Sequence, residues 1–227
     1  MFSWQQLEAR RDSTLICSLV PPGGVSWDWA IAWGSLQKPA IWDVMKMSGL
    51  PWAEARTQAA YTLLGGAYQY LFFLDCDVLA PPDTIPRLMA HRLPIVSALY
   101  HQRYPTWLGL EGAYLPCMFN ERRLPDGKIE KQVIAEFQYG QLVEAVYVPA
   151  GCGLVHRSVF EALLQKGVRL FYQWTMTAEN PVGMSEDFYF TKTCRDLLGI
   201  RSYVDTAVQA SHETSAVIGV KGMRPRI

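Results

Sequence analysis

The stretch that most constrains the fold is YLFFLDCDVLAPPD, residues 70–83. Its first five residues are apolar without a break, a pattern typical of a strand that is buried on both faces of a sheet. Two aspartates, Asp75 and Asp77, follow at once, and then a Pro-Pro turn. A strand covered on both faces needs helices on either side of its sheet, so this stretch predicts an α/β protein.

The rest of the chain supports this prediction because strand-like and helix-like segments alternate. In the first half, strands are predicted at 14–20, 39–47, 70–75 and 94–100, and helices lie between them, the first capped by Ser26 and the third by Asp83. Such alternation indicates βαβ units and a mixed, mostly parallel sheet flanked by helices.

The second half carries different signals. The PDGK turn at 125–128 predicts a hairpin insertion, AGCG at 150–153 a loop, and 157–167 and 185–199 two helices. A last strand is predicted at 201–209. Without repeats or linkers, residues 1–227 are interpreted as one domain.

Composition excludes several classes of protein. Of the 227 residues, 50% are hydrophobic, which is typical of a globular chain, and 21 basic residues balance 21 acidic ones. That balance supplies no bulk attraction to nucleic acid or to an anionic membrane. Five scattered cysteines argue against a disulfide framework and against a zinc site. With no apolar run of about 18 residues and no visible secretory signal, we expect a cytoplasmic protein without a transmembrane segment.

Asp75 and Asp77 lie where a buried strand ends, which is where open α/β sheets bind ligands. Residues two apart in an extended chain point the same way, so both carboxylates can face one ligand. Two close carboxylates repel each other unless a cation or a proton relieves them. Mg²⁺ or Mn²⁺ gripping a diphosphate satisfies this requirement. The alternative is that one aspartate caps a turn and the other is solvated.

Two further sets of residues extend the candidate site. Glu186 and Asp187 begin a predicted helix, where the helix dipole alone also favours acids. His212 follows the last predicted strand, and the alternative for it is a purely structural histidine.

The order of these motifs resembles that of GT-A fold glycosyltransferases, most closely the inverting, family-2-like group. The matching segments span most of residues 14 to 212 and are TLICSLVPPGGVSWDWAIAW, EARTQAAYTLLGGAYQYLFFLDCDVLAPP, PIVSALYHQRYP, VPAGCGLVHRSVFEAL and SEDFYFTKTCRDLLGIRSYVDTAVQASH. The resemblance implies a nucleotide-binding half at 14–100, an acceptor and catalytic half at 101–212, and a tail at 213–227.

The resemblance also implies a metal site. Asp77 would be the direct ligand of Mn²⁺ or Mg²⁺, His212 the later ligand, and Asp75 would contact the ribose or the water shell of the metal. The ion would neutralise the departing diphosphate of a nucleotide-sugar, and we expect a donor linked to UDP or GDP.

The donor would be held by three further elements, according to the same resemblance. Val20 and Pro21 would meet the base through backbone groups. Arg56 matches an arginine that helps hold the nucleotide, although Thr57 stands where asparagine is usual; its alternative role is packing with its charged head in solvent. The loop containing Gly151, Cys152 and Gly153 would lie under the donor sugar, or be an ordinary turn.

Catalysis would fall to Asp187 as the general base, with Glu186 orienting the site, and direct displacement would invert the anomeric carbon. A retaining enzyme with the same aspartates is the alternative. The acceptor would be a glycan, lipid, protein or small molecule, and aromatic and polar residues after the fourth strand could contact it or cover the core: Tyr100, His101, Arg103 and Trp107.

Three other functions fit parts of the pattern. Sugar-nucleotide synthesis would need a glycine-rich loop with a basic residue after the first strand, and the segment 21–29 contains no lysine or arginine. A non-catalytic sugar-binding protein would not need to retain these acids. A metal-dependent phosphoesterase would be expected to carry a histidine-rich cluster.

Overall fold

The computed structural model describes residues 11–102, 114–175 and 183–213, together with the backbone of two strands closer to the C-terminus. Its helices are α1 (Trp27–Ser35), α2 (Trp52–Gly65), α3 (Thr84–Ala90), α4 (Arg157–Gln165) and α5 (Glu186–Leu198). Its strands are β1 (Thr14–Leu19), β2 (Trp42–Met47), β3 (Tyr70–Leu74), β4 (Val78–Leu79), β5 (Ile95–Leu99), β6 (Phe119–Arg123), β7 (Ile129–Val133), β8 (Leu142–Ala145), β9 (Cys152–His156), β10 (Ser202–Gln209), β11 (Ser211–His212), β12 (Ala216–Gly219) and β13 (Gly222–Pro225).

A seven-stranded sheet forms the centre of the described part, in the order β2-β1-β3-β9-β5-β10-β8. Strands β2, β1, β3, β5 and β10 run in one direction, and β9 and β8 run against them. This mixed, mostly parallel sheet with flanking helices confirms the predicted fold class. The predicted hairpin is also present, as β6 paired with β7.

Both faces of the sheet are buried, as the uninterrupted apolar run of β3 predicts. Leu71 and Phe73 pack on one side with residues of α2, α4 and α5. Tyr70, Phe72 and Leu74 pack on the other side with residues of α1 and α3. Each fully buried Leu or Phe side chain contributes about 1.5–3 kcal/mol. The central strand therefore fixes the place at which Asp75 leaves the sheet.

Local sequence signals explain where several helices begin and end. Ser26 caps α1, and its Oγ accepts the N–H of Trp29, as predicted. Gly199 ends α5 in the left-handed conformation at φ 67°, which glycine adopts without strain. The predicted cap at Asp83 is wrong in one respect, because its carboxylate pairs with Arg87 at 2.7 Å instead of accepting a backbone N–H.

The loop predicted at 150–153 is wrong in its second half. Cys152 and Gly153 begin β9, which lies between β3 and β5 and is antiparallel to both. The small side chains that suggested a loop instead fit a crowded central strand, and the Oγ of Ser97 donates to the Cys152 carbonyl at 3.0 Å. Among the described residues, no helix is both long and apolar enough to cross a bilayer.

Candidate metal and donor site

The carboxyl ends of β1, β2 and β3 border a pocket of about 500 Å³. Its lining divides into an apolar end, formed by the residues after β1 and β2, and an acidic end with one histidine. The described lining residues are Leu19, Val20, Pro21, Pro22, Met47, Ser48, Gly49, Leu50, Trp52, Ala55, Asp75, Cys76, Asp77, Val78, Tyr100 and His212. Of the residues that the sequence singles out, the structure thus brings Val20, Pro21, Asp75, Asp77 and His212 to one pocket.

Val20 and Pro21 are positioned by the sheet. The N–H of Val20 donates to the carbonyl of Met47 at 2.8 Å, continuing the pairing of β1 with β2. Proline has no N–H, so backbone contact with a ligand at this point falls to carbonyl oxygens.

His212 reaches Asp77 because β11 pairs with β4, the short strand that follows the two aspartates. The imidazole Nε2 lies 3.6 Å from Oδ2 of Asp77. Its other nitrogen, Nδ1, lies 2.8 Å from the carbonyl oxygen of His101. A carbonyl only accepts, so Nδ1 carries the hydrogen, and in the neutral ring Nε2 keeps its lone pair on the side of Asp77.

The Asp77–His212 pair fits a divalent ion. A separation of 3.6 Å is too long for a hydrogen bond, whereas two bonds of about 2.1 Å reach across it. An imidazole held by a backbone carbonyl and facing a carboxylate is a common arrangement of metal ligands. Within the described part of the chain, no group of three or more His, Cys, Asp or Glu side chains is placed to hold a metal. Oxygens from a ligand and from water would therefore complete the coordination.

Asp75 is held on three sides. Both of its carboxylate oxygens accept from Nη2 of Arg56, at 2.7 and 3.0 Å. Its N–H donates to the carbonyl of Gly151, and its own carbonyl accepts from Nε1 of Trp29, each at 2.8 Å. Burial raises the pKa of Asp75, and the adjacent Arg56 opposes that shift. Asp75 therefore borders the pocket in one fixed orientation.

Arg56 is enclosed at 2% exposure, so the prediction that its charged head could lie in solvent is wrong. Its Nε donates to Oε1 of Glu186 at 3.1 Å, and its guanidinium lies over the ring of Phe73. Burial works against its charge, but Asp75 and Glu186 outweigh that effect and raise the pKa of Arg56. The residue does not border the pocket; its neighbour Ala55 and its partner Asp75 do.

The two acids at the start of α5 have different surroundings. Glu186 is buried, and burial raises its pKa against the opposing effect of Arg56. Asp187 is half-buried, and its Oδ1 accepts from the hydroxyl of Ser185 at 2.5 Å and from the N–H of Phe188 at 2.8 Å. After burial and nearer charges, the negative charge of Asp187 also raises the pKa of Asp75, so the two acids belong to one electrostatic cluster.

Gly151 is packed against the site, whereas Cys152 and Gly153 are inside the sheet. The N–H of Gly151 donates to Oη of Tyr100 at 3.0 Å. A side-chain carbon at this position would meet that Oη at 2.6 Å and Oδ2 of Asp75 at 3.0 Å. None of the three residues lines the pocket; Gly151 reaches it indirectly, by packing against Asp75 and Tyr100, which do line it.

The residues expected to contact an acceptor fall into three groups. Tyr100 is 6% exposed and packs its ring edge-on against His212, which agrees with the alternative that it covers the core. His101 is half-buried and burial lowers its pKa. Arg103 and Trp107 lie outside the described residues.

Sequence reasoning missed two tryptophans at the site. Trp29 orients the backbone of Asp75, and its signal was its position three residues after the helix cap Ser26. Trp52 lines the apolar end of the pocket while 58% exposed. Its signal was its position directly after Pro51, at the predicted start of α2 and close to the end of β2.

Comparison with solved structures supports the architecture. The chain is similar to A197 from STIV, with a TM-score of 0.51 and 14% identity, over 95% of this chain and 94% of that one. It is also similar to GalNAc-T7, solved with UDP, GalNAc and Mn²⁺, with a TM-score of 0.49 and 9% identity, over 88% of this chain and 43% of that one. No protein-family description and no curated protein matches the sequence. At such low identities the likeness to A197 concerns the fold alone, which is a mixed, mostly parallel α/β sheet flanked by helices.

Proposed function

We propose that the protein is a metal-dependent glycosyltransferase, which moves a sugar from a nucleotide-diphosphate sugar to an acceptor hydroxyl. The observation that carries this proposal is the pair Asp77–His212, 3.6 Å apart, at one end of a pocket whose other end is apolar. A ligand matched to this pocket carries negative charge, to bind a metal ion, at one end and a flat, weakly polar group at the other. A nucleoside diphosphate has this distribution, with its diphosphate at one end and its base at the other.

The pocket volume of about 500 Å³ is in the usual range for small-molecule sites. Val20, Pro21 and Leu50 offer apolar contact and carbonyl oxygens to a base, and the ring of Trp52 lies beside them. Asp75, fixed by Arg56, also lines this pocket, and the ribose is the part of the donor that we propose it contacts. A UDP- or GDP-linked sugar is the donor we propose.

Asp77 and His212 would hold Mn²⁺ or Mg²⁺, since a carboxylate with an imidazole suits these ions. When bound, the ion supplies positive charge that stabilises a departing diphosphate. The protein's own contribution is to fix the orientation and the tautomer of the His212 ring, because Nδ1 donates to the carbonyl of His101 and the neutral ring then carries its lone pair on Nε2.

Asp187 is the better placed of the two helix acids to act as general base. Glu186 is buried and paired with Arg56, so it orients the site, whereas Asp187 is half-buried and accepts only local hydrogen bonds. Asp187 would remove the proton from an acceptor hydroxyl as its oxygen attacks the anomeric carbon. Such direct displacement inverts the configuration. The acceptor we propose is a glycan, lipid, protein or small molecule.

The test is release of nucleoside diphosphate from a panel of nucleotide-sugars with Mn²⁺ and candidate acceptors. We expect Asp187→Asn to lower turnover by about 10²–10⁴-fold, because that is the usual contribution of a general base. Affinity for the nucleotide with Mn²⁺ should change less than about threefold, since Asp187 does not border the pocket.

The matched control is Asp196→Asn, an exposed acid of the same helix, which should leave turnover unchanged. NMR assignment of the product would show an inverted anomeric carbon, and a retained one would refute the displacement by Asp187. If the wild-type protein binds nucleotide with metal but never turns it over, a non-catalytic nucleotide- or sugar-binding protein is the better description.

A further inference from the structure

Arg56 joins two parts of the site that are far apart in the sequence. Its Nη2 holds both oxygens of Asp75, and its Nε holds Oε1 of Glu186. Asp75 follows the central strand β3, and Glu186 is the first residue of α5. One guanidinium therefore connects the strand that carries the pocket aspartates to the helix that carries Asp187.

The position of Arg56 is itself fixed. It lies on α2, whose neighbouring residues Ala55, Ala59, Ala60 and Leu63 are buried in the core with β1 and β3. Because its Cα cannot move easily, the planar guanidinium sets where its partners lie. A lysine would supply the charge without the fork that binds both carboxylates.

Stability alone is a weak reason for this arrangement. Arg56 faces two carboxylates with one positive charge, and its Nη1 has no hydrogen-bond partner among the described residues. Buried ion pairs commonly contribute no more stability than apolar side chains of similar size. A buried arginine with an unsatisfied nitrogen is better explained by the placement that it imposes.

We propose that Arg56 is a positioning residue: its enclosed guanidinium keeps Asp75 and the first turn of α5, with Asp187, at a fixed separation. The inference rests on the proposed function for its catalytic consequence, but its structural content is independent of any activity. It also differs from the nucleotide contact expected from the sequence, because Arg56 does not border the pocket.

The first arm of the test is hydrogen–deuterium exchange of the free protein, compared for the wild type, Arg56→Lys and Arg56→Met. We expect the amides of 186–190 to exchange about tenfold faster or more in both variants, since the first turn of α5 loses its anchor. The amides of α3, on the opposite face of the sheet, should be unchanged. Arg87→Met, which removes an exposed arginine, is the matched control and should leave 186–190 as in the wild type.

The second arm separates positioning from nucleotide contact. We expect Arg56→Lys to lower kcat about tenfold or more while the Kd for nucleoside diphosphate with Mn²⁺ changes less than about threefold. Glu186→Gln, which weakens the link to α5 but leaves the pair with Asp75, should reproduce the faster exchange at 186–190. This variant keeps the inference testable if Arg56→Met does not fold.

Two results would overturn the inference. One is unchanged exchange at 186–190 in both Arg56→Lys and Glu186→Gln. The other is a Kd that weakens tenfold or more in Arg56→Lys without any change in that exchange, which would make Arg56 a ligand contact. If the wild type shows no turnover, the proposed function fails, but the exchange arm still decides whether Arg56 positions α5.

Discussion

Gly151 shows, at the scale of single residues, how little space surrounds Asp75. We expect Gly151→Ala to lower the free energy of unfolding by about 1–3 kcal/mol, because the added carbon would meet Oη of Tyr100 at 2.6 Å and Oδ2 of Asp75 at 3.0 Å. Chemical denaturation of the wild type and of the variant measures this difference.

The matched control is Gly65→Ala, because nothing lies within 4 Å of a side-chain carbon at that position. Alanine there should be neutral or slightly stabilising, since Gly65 is the last residue of a helix. Equal stability of the two variants would show that the contact between Gly151 and Asp75 is looser than the structure has it.

The residues of the candidate site were predictable to different degrees. Asp75 and Asp77 stand out because an apolar strand runs directly into them. The burial of Arg56 was not predictable, because its partner Glu186 lies 130 residues away in sequence. Helical spacing placed Arg56 at the edge of an apolar stripe, but periodicity does not show which distant carboxylate a side chain meets.

Among the helices, α4 has an N-terminal cap that depends on pH. The cap is the side chain of His156, which can accept a backbone N–H only while its Nδ1 is unprotonated. Its Nδ1 accepts the N–H of Ser158 at 3.2 Å at the start of α4. Burial lowers the pKa of His156, and Glu161 opposes that shift. The folded protein therefore binds fewer protons here than the unfolded chain does, and this contribution to stability declines as the pH falls below about 6.5.

We expect His156→Asn to flatten this dependence, because asparagine keeps an acceptor for the cap and does not titrate. The measurement is the free energy of unfolding from urea titrations at several values between pH 7.5 and pH 5. The wild type should lose up to about 1 kcal/mol more than the variant over this range, the usual contribution of a cap. The pKa of His101 is also lowered by burial, so His101 contributes to the pH dependence of both proteins. The prediction therefore concerns the difference between the two free energies of unfolding, and a difference that does not change with pH would contradict it.

Helix ends that depend on neighbouring residues were predictable from the sequence, whereas a strand that depends on pairing with distant strands was not. Ser26 and Gly199 correctly marked the ends of α1 and α5, because caps depend on a few neighbouring residues. Strand β9 was partly missed, because Gly151 and Gly153 favour a loop in isolation. Its strand conformation is imposed by β3 and β5 on either side, which is a tertiary effect.

At the scale of the whole molecule, the site depends on chain connections that no local pattern contains. Strands β1, β2 and β3 end at one edge of the sheet and form the pocket. The chain returns much later, along β10, and β11 then pairs with β4, which places His212 beside Asp77. The predicted fold class was sufficient to expect a ligand at this edge, but not to give the pairing that completes the site.

The proposed function requires Asp77 and His212 to hold a divalent ion against a diphosphate. Thermal unfolding with UDP, GDP, CDP or dTDP, each with Mn²⁺ and with EDTA, would show whether they do. A ligand at about 100 times its Kd adds about 2.7 kcal/mol, which corresponds to a rise of about 5–10 °C in Tm for a chain of this size.

We expect this rise with at least one nucleotide and only with Mn²⁺, and we expect both Asp77→Asn and His212→Gln to abolish it. The control Asp83→Asn, a partly exposed acid that does not line the pocket, should keep the full rise. No rise with any of the four nucleotides, an equal rise in EDTA, or a rise that survives both substitutions would contradict the account.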